Sequence, residues 1–214
     1  MIKEFIKMPL HTKIRKVRIK LYYLFAKKNW GGYGNGSIVE KPMFIMGKKN
    51  IYIGCNVQIR DGARIEAISE YGEQKLTPVI RIGDNTSIEQ RLHMTCANQI
   101  TIGHDVTISA DVLITDNSHG IQSINQNVRL QPLEVRITEI GDYSFIGAGC
   151  KILAGVNIGK NSIVGANSVV TRDVPNYCMV AGVPARILKT FDFDLNKWIE
   201  CKDNKRSRDS FSIT

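Results

Sequence analysis

A histidine stands in an irregular stretch, 115–139, of an otherwise repetitive sequence. His119 belongs to the segment ITDNSHG and is one of only four histidines among 214 residues. An imidazole has a pKa suited to accepting a proton from a hydroxyl group near neutral pH, which turns a poor nucleophile into an effective one. Because long loops in compact domains are often functional, the segment marks His119 as a candidate general base. By itself, a lone loop histidine is more commonly an ordinary surface residue.

Residues near His119, and an earlier segment, offer partners for such a base. A carboxylate at Asp116 can orient the imidazole through its Nδ1–H, as in catalytic triads. A loop aspartate can equally cap its own turn, and the sequence leaves both roles open for Asp116. Earlier in the chain, His93 precedes the apolar Met94. Alternation along a strand then places His93 on the outer face.

The irregular stretch contrasts with a period of six in the residues after it. A branched aliphatic recurs at Ile140, Ile146, Ile152, Ile158, Val164 and Val170, and small residues stand at Ser144, Cys150, Val156, Ser162 and Ser168. In a helix, successive aliphatics would lie about 240° apart and form no stripe. On a strand the even period keeps them on one face. Glycine follows the aliphatic at 141, 147, 159 and 165, which we interpret as a bend that needs an unusual φ.

The same period extends back towards the N-terminus. It includes Ile53, Ile59, Ile65, Ile82, Ile88, Met94, Ile102, Ile108 and Ile114, with interruptions at 66–81 and 115–139. One short strand and one corner per hexad, with three hexads in a turn of roughly 18 residues, give a coil of triangular cross-section. We therefore predict an all-β solenoid over most of 38–175.

Composition limits the class of protein. The length suits one domain with a sizeable core. Five cysteines show no paired or CxxC spacing, which indicates reduced thiols in an intracellular protein. No stretch has the length of a transmembrane helix, and the charged N-terminus lacks a signal-peptide pattern. We expect a cytoplasmic location.

The net charge of +9 is concentrated at the N-terminus, where residues 1–28 hold nine Lys or Arg and one Glu. Apolar residues there follow a helical spacing: Ile14, Val17, Leu21, Leu24 and Phe25. This basic amphipathic helix is interpreted as a cap on the open end of the coil. Peripheral contact with the anionic inner face of a membrane is the alternative. Nucleic-acid binding is not expected, because the rest of the chain offers no basic face with interleaved aromatics.

Three segments follow from these patterns. We expect a basic helical cap at 1–30, a β-helix domain at 31–189 with loops 66–81 and 115–139, and a C-terminal tail at 190–214.

The sequence resembles the hexapeptide-repeat acyltransferases, in particular the maltose/galactoside and O-antigen or capsule polysaccharide O-acetyltransferases. The resemblance is carried by the stretch IGDYSFIGAGCKILAGVNIGKNSIVGANSVVTRDVPNYCMVAGVPARILKT. ITDNSHG is also similar to the O-antigen and capsule branch. The resemblance covers roughly 38–190. It implies a left-handed parallel β-helix with a short N-terminal helix and a projecting loop, assembled as a homotrimer with active sites between subunits. It further implies acetyl-CoA as co-substrate, a saccharide acceptor and no metal.

The resemblance also implies roles for the residues of the acceptor site. His119 occupies the place of the family's catalytic histidine. Asn117 stands where the family often has a second histidine, which affects acceptor geometry. Arg91 and His93 fall where related enzymes bind the acceptor, and Phe145 replaces a common tryptophan.

For coenzyme A, the resemblance implies a second set of positions. The backbone N–H near Ala148 matches the donor to the oxyanion that forms from the thioester. Ala166 matches a backbone contact to the pantetheine arm, and Thr171 and Arg172 match a Thr-Lys pair near the coenzyme. The basic residues Arg186 and Lys189 match positions that neutralise its phosphates.

We therefore expect direct acetyl transfer to a sugar hydroxyl, with His119 as base. N-acetylation of an amino sugar, or serine or xenobiotic acetylation, is the nearest alternative. A γ-carbonic-anhydrase-like zinc site and a purely structural solenoid are remote ones, since the spacings of His93, His104 and His119 do not favour three converging ligands.

Overall fold

The computed structural model describes residues 9–26 and 28–201. In this part of the chain, an N-terminal helix, α1 (Leu10–Ala26), precedes a long coil of short strands. The first of three parallel sheets consists of β1 (Gly32–Tyr33), β4 (Ile51–Ile53), β9 (Val79–Ile82), β12 (Gln99–Ile102), β17 (Ile137–Ile140) and β20 (Asn157–Ile158).

The second sheet consists of β2 (Ile38–Val39), β5 (Gln58–Ile59), β10 (Ser87–Ile88), β13 (Thr107–Ile108), β18 (Phe145–Ile146), β21 (Ile163–Val164) and β23 (Cys178–Gly182), to which β24 (Ala185–Asp192) and β25 (Lys197–Glu200) add in antiparallel fashion. The third consists of β3 (Phe44–Met46), β6 (Arg64–Ala67), β11 (His93–Cys96), β14 (Leu113–Thr115), β19 (Lys151–Ile152) and β22 (Val169–Val170). Short 3-10 helices lie at Lys48–Asn50 and Val128–Leu130.

The chain visits the three sheets in the same order on every turn, so the sheets form the three walls of a prism. Strands of successive turns pair in register, as Ile88 does with Ile108 and Ile108 with Ile146. The predicted all-β solenoid of hexads is confirmed.

The repeating aliphatic side chains fill the inside of the prism. Ile146, Ile152, Ile158 and Val164 are all fully buried. Full burial of each such side chain contributes about 1.5–3 kcal/mol relative to exposure. The stack of aliphatics is the main stabilising feature of the coil.

Small residues between the aliphatics fit the narrow corners of the prism. Ser144 donates its hydroxyl to the Gly159 carbonyl over 3.0 Å, and Ser162 donates to the Pro175 carbonyl over 2.8 Å. Both serines are buried, so these bonds satisfy groups that water does not reach. The small position therefore serves backbone hydrogen bonding as well as space.

The reason that glycine is required after the aliphatics differs from the one that the sequence indicates. Residues 141, 147, 159 and 165 do not have positive φ; the left-handed residue comes two places later, as Tyr143 (φ 58°), Gly149 (73°), Asn161 (54°) and Asn167 (58°). A Cβ on Gly147 would lie 2.6 Å from the backbone nitrogen of Ala166, and one on Gly159 would lie 2.4 Å from that of Asn176. Close approach of the next turn, not an unusual φ, requires glycine there.

Both interruptions of the repeat are hairpins that leave the coil at one corner. Each follows a strand of the third sheet and precedes a strand of the first. The first hairpin pairs β7 (Glu70–Tyr71) with β8 (Gln74–Lys75), and the second pairs β15 (Asn117–His119) with β16 (Leu133–Val135). The coil resumes in register after them, with Ile53 opposite Ile82 and Ile102 opposite Ile140.

The apolar stripe of α1 faces solvent in the single chain. Its members are between 49% and 74% exposed: Leu10, Ile14, Val17, Leu21, Leu24 and Phe25. The interpretation of this segment as a cap on the open end of the coil stays a prediction, and the exposed stripe remains available to a further surface. No helix within the described ranges combines the length and apolar character needed to cross a bilayer.

The C-terminal strands lie across the predicted boundary at 189 and 190. β24 spans it, and β25 ends at Glu200. The rest of the predicted tail, like the first eight residues of the predicted cap, lies outside the described residues, so the three-segment division stays a prediction.

Candidate active site

His119 ends β15 and stands outside the prism on the second hairpin. It pairs with Leu133 in the antiparallel ladder, and its side chain is exposed. The Nδ1 atom lies 3.1 Å from the Tyr71 hydroxyl, and the two rings are 5.7 Å apart. The hairpin thus presents an imidazole with one nitrogen held and the other available.

Asp116 does not contact this imidazole. It is fully buried, and its oxygens accept hydrogen bonds from the backbone N–H groups of Ala97 (2.8 Å) and Asn98 (2.7 Å) in the preceding turn. The Cys96 thiol and the Asn117 amide donate to the same carboxylate. The expected orienting role of Asp116 is therefore corrected, because its oxygens hold the corner from which the hairpin leaves.

Tyr71 and Gln74, on the first hairpin, hold the second hairpin, and sequence reasoning missed both residues. Gln74 binds the Leu133 backbone, and Tyr71 donates to the Arg129 carbonyl over 2.8 Å. The signal in the sequence that could have predicted this contact is the place of the two interruptions within the repeat. Both interruptions begin after a third-sheet hexad, so the two loops had to emerge at the same corner.

Two of the expected acceptor-binding residues lie near the corner from which the second hairpin leaves: His93 on the third sheet, and Asn117 at the start of β15. Asn117 donates to the Thr95 carbonyl over 3.2 Å. His93 pairs with Arg64 of the neighbouring strand, and its Nε2 lies 3.9 Å from Glu66. Burial, followed by the Arg64 charge, lowers the pKa of His93, while Glu66 opposes the change. These side chains give the sheet a polar outer surface next to the hairpin.

Arg91 does not point a free charge at this surface. It occupies a corner between the second and third sheets, with φ 59°. Its guanidinium binds Asp111 through two hydrogen bonds of 2.6 and 2.5 Å. The pairing lowers the pKa of Asp111 and raises that of Arg91. An acceptor-binding role for Arg91 would require this pair to open.

The expected coenzyme positions Ala148, Ala166 and Arg186 form a column at the corner between the second and third sheets. Ala148 and Ala166 are exposed on successive turns, and the Ala148 carbonyl accepts from Asn167 N over 2.7 Å. Arg186 pairs with Ala181, which lies against Gly165. Within the described ranges, no residue accepts a hydrogen bond from the Ala148 N–H. The column thus combines an available donor with a cation.

Phe145 and Lys189 share a row across the second sheet. Phe145 pairs with Ile163, Ile163 with Met179, and Met179 with Lys189. Phe145 is 42% exposed, so its ring is accessible on the outer surface. The row places an aromatic face and an ammonium group on the same wall as the Ala148 column.

Thr171 and Arg172 follow β22 of the third sheet and lie, exposed, at the corner from which the hairpins leave on earlier turns. One chain therefore does not bring the whole expected site together. His119 projects from one corner, and Ala148 lies at another.

A cavity of about 460 Å³ lies between the two hairpins. Its lining includes the polar side chains of Tyr71, Gln74, Gln126 and Arg129. Tyr71, whose hydroxyl contacts His119, is thus part of the wall of this cavity. In the part of the chain that the structure describes, no three His, Cys, Asp or Glu side chains are grouped to hold a metal ion.

Comparison with known proteins gives a consistent result. The family model described as bacterial transferase hexapeptide (six repeats) matches residues 137–172. WbbJ of Escherichia coli (strain K12), named as a lipopolysaccharide biosynthesis O-acetyl transferase, is 31% identical over 173 residues, which cover 78% of this chain and 85% of WbbJ. The galactoside O-acetyltransferase of the same organism is 32% identical over 180 residues, which cover 84% of this chain and 72% of that protein.

Solved structures agree on the fold. The hexapeptide-repeat acetyltransferase VCA0836 of Vibrio cholerae, in complex with acetyl coenzyme A, matches with a TM-score of 0.58 and 28% identity over 83% of this chain and 86% of that one. The N-acyltransferase AntD of Bacillus cereus matches with a TM-score of 0.65 over 80% of this chain and 89% of that one. At 18% identity, AntD supports the fold alone.

Proposed function

The chain belongs to the hexapeptide-repeat acetyltransferases, and we propose that it transfers an acetyl group from acetyl-CoA to a sugar hydroxyl of a cell-surface polysaccharide or its precursor. Its coil is the left-handed parallel β-helix of that family. The observation that carries the proposal is the exposed imidazole of His119 on a hairpin that leaves the coil, in a chain whose relatives WbbJ and galactoside O-acetyltransferase are named for O-acetyl transfer.

His119 acts as the general base in this proposal. Its free nitrogen takes the proton of the acceptor hydroxyl while the hydroxyl oxygen forms a bond to the acetyl carbonyl carbon. The carbon–sulfur bond then breaks, and the proton passes from the imidazolium to the departing CoA sulfur. The N–H of Ala148, an exposed residue, has no partner among the described residues and is a suitable donor to the oxyanion that forms between these steps.

The column of Ala148, Ala166 and Arg186 would hold the coenzyme. Two exposed alanines on successive turns leave room for a narrow pantetheine arm beside the backbone. The exposed guanidinium of Arg186 and the ammonium of Lys189 would neutralise phosphate groups through charge-assisted hydrogen bonds. Thr171 and Arg172 lie at a different corner, so they would contact coenzyme bound to a neighbouring chain.

Within one chain, the base His119 and the coenzyme column lie at different corners of the coil. This separation supports a site that is shared between copies of the chain. A homotrimer would bring the His119 hairpin of one copy to the Ala148 corner of another. Sedimentation equilibrium of the purified chain should then give three times its mass of 24.0 kDa. A fully active monomer would contradict the shared site.

A saccharide acceptor is supported by the polar surroundings of His119. The amide oxygen of Asn117, the amide of Gln126 and the His93 imidazole offer donors and acceptors that match sugar hydroxyls. The names of WbbJ and galactoside O-acetyltransferase point to the same class of acceptor.

The proposal is tested with a panel of saccharides and amino sugars, incubated with acetyl-CoA and scored by thiol release and product mass. His119→Ala should lower turnover by about 10²–10⁴-fold, the usual contribution of a general base, with little change in the KM for acetyl-CoA. His104→Ala, which removes a half-buried histidine away from the two hairpins, is the matched control. Near-normal turnover of His119→Ala, or products acetylated on nitrogen alone, would overturn the proposal.

We also infer that α1 contacts an anionic membrane surface. Its exposed apolar stripe and the basic composition of 1–28 are typical of helices that lie in a lipid interface. The full chain should sediment with vesicles containing phosphatidylglycerol and not with pure phosphatidylcholine, and a double change of Leu21 and Phe25 to Ser should abolish binding. Equal behaviour with both vesicle types would contradict this role.

A further inference from the structure

We propose that Tyr71 is a positioning residue that holds His119 as the tautomer with its proton on Nδ1, so that Nε2 is the basic nitrogen; this rests on the proposed role of His119. The residue belongs to the first interruption of the repeat, which sequence reasoning left without a function. The structure places its hydroxyl against the one imidazole that the proposed reaction uses.

The hydrogen-bond partners of Tyr71 determine the position of the proton. A tyrosine hydroxyl has one hydrogen to donate, and it also accepts. The Arg129 carbonyl oxygen, 2.8 Å from the Tyr71 hydroxyl, can only accept, so the hydroxyl hydrogen lies on that side. The contact of 3.1 Å between the hydroxyl and His119 Nδ1 then requires the hydrogen of the imidazole. Nδ1 donates to Tyr71, and in the neutral ring Nε2 keeps its lone pair.

Both partners of this contact are anchored. Gln74, three residues after Tyr71, donates to the Leu133 carbonyl over 3.1 Å and accepts from the Leu133 N–H over 2.8 Å. Leu133 is the residue that pairs with His119 across the second hairpin. The Glu70–Lys75 ion pair of 2.7 Å closes the first hairpin from the solvent side. Tyr71 and His119 are therefore held by the same inter-hairpin connection.

The geometry is selective for the basic form of the ring. A free neutral imidazole exchanges between two tautomers, and only the one with a lone pair on the outward nitrogen can accept the acceptor proton. Asp116, the carboxylate nearest in sequence, is occupied by the backbone of Ala97 and Asn98. Among the described side chains, the Tyr71 hydroxyl is the group that contacts Nδ1.

Tyr71→Phe removes the hydroxyl and keeps the ring that packs beside His119. We expect kcat to fall by about 10- to 100-fold with the KM for acetyl-CoA unchanged. The loss is smaller than the roughly 10⁴-fold cost of a wrong tautomer in a serine protease, because the productive tautomer stays accessible without Tyr71. Tyr143→Phe is the matched control, since Tyr143 also packs against a histidine, His104, at a ring distance of 4.8 Å, outside the proposed site.

The readout that separates positioning from folding is the nitrogen spectrum of histidine-labelled protein, at a pH where imidazole is neutral. Wild-type protein should show His119, assigned by its loss in His119→Ala, with a protonated Nδ1 and an unprotonated Nε2. Tyr71→Phe should show averaging between tautomers, and Tyr143→Phe should match the wild type.

The possible failures are distinguishable. If Tyr71→Phe leaves both the tautomer and kcat unchanged while His119→Ala is inactive, the role of Tyr71 is wrong and the proposed function stands. A wild-type spectrum with the proton on Nε2 overturns the inference outright. If the spectra behave as expected but His119→Ala keeps its turnover, the proposed function fails, and with it a catalytic purpose for the contact.

Discussion

Gln74 binds both backbone polar groups of Leu133, with the amide donating over 3.1 Å and accepting over 2.8 Å. A glutamine side chain here replaces the partner strand that Leu133 lacks on that side. The first hairpin leaves the coil after β6 and the second leaves two turns later, after β14. They meet outside the coil, next to the intervening turn that contains β11. The position of His119 thus depends on a residue more than 40 places earlier in the chain.

Gln74→Ala should loosen the second hairpin without unfolding the coil. The buried Leu133 N–H loses its partner, which costs about 1–3 kcal/mol, but no coil strand pairs with either hairpin. We expect faster limited proteolysis within 115–139 and a lower kcat, with little change in Tm. Gln122→Ala, which removes an exposed glutamine bound to Glu134, is the control. Identical cleavage rates in the two variants would exclude the connection.

Asp116→Ala should act mainly on stability. It leaves the buried N–H of Ala97 and the half-buried N–H of Asn98 without an acceptor, which we expect to cost about 2–5 kcal/mol in total. For a chain of this size the Tm should fall by roughly 5–15 °C. Asp116→Asn keeps an amide oxygen and should lose less. A variant with normal Tm and strongly reduced kcat would restore a catalytic role for Asp116.

His104 should stabilise the protein only at low pH. A hydrogen bond to Asp105 and the charges of Asp142, Asp105 and Asp84 raise the pKa of His104. The stabilisation is therefore complete below the unfolded value of about 6.5 and is lost as the pH rises through the folded pKa. His104→Gln should lower Tm at about pH 5.5 and not at about pH 9. A pH-independent change in Tm would contradict this.

His93→Gln should change Tm with the opposite pH dependence. Burial lowers the pKa of His93, so protonation disfavours the folded state at low pH. Replacement by glutamine removes that penalty. The difference in Tm between His93→Gln and the wild type should therefore be more favourable to the variant at low pH than at neutral pH. Thermal denaturation of both variants across one pH series measures the two trends together.

The thiols should differ in their reaction with iodoacetamide. Cys55 is exposed, whereas Cys96 and Cys150 are fully buried. Burial raises the pKa of both buried thiols, and Asp116 raises that of Cys96 further. Because alkylation needs an accessible thiolate, peptide mapping of native protein should find Cys55 modified and the other two intact until denaturation. Rapid labelling of Cys96 in folded protein would contradict the packing around Asp116.

The coil could be predicted from sequence because each hexad repeats the same physical requirement. An inward aliphatic such as Ile152 and a small neighbour such as Cys150 recur often enough to fix the face of every strand. The reason for the glycines could not be obtained in this way. Whether Gly147 is required by its own φ or by the approach of Ala166 depends on contacts between turns, which a one-dimensional pattern does not contain.

The candidate site was predictable only as separate parts. The exposed position of His119 follows from the interruption, and the Ala148 column follows from the repeat. The contact with Tyr71 depends on how two irregular hairpins meet, and neither has a periodic pattern. Asp116 looked like a partner for His119 because it is close in sequence, but its burial made it an acceptor for the backbone of the previous turn.

The coil pairs Ile102 with Ile140 in register even though all of 115–139 lies between them. Since the entropy of closing a loop grows slowly with its length, this corner accepts insertions of very different size at little thermodynamic cost. An exchange of hairpins at this corner therefore leaves the three walls of the coil intact. Exchanged together, as a matched pair, the two hairpins keep the Gln74–Leu133 connection and change the side chains around His119.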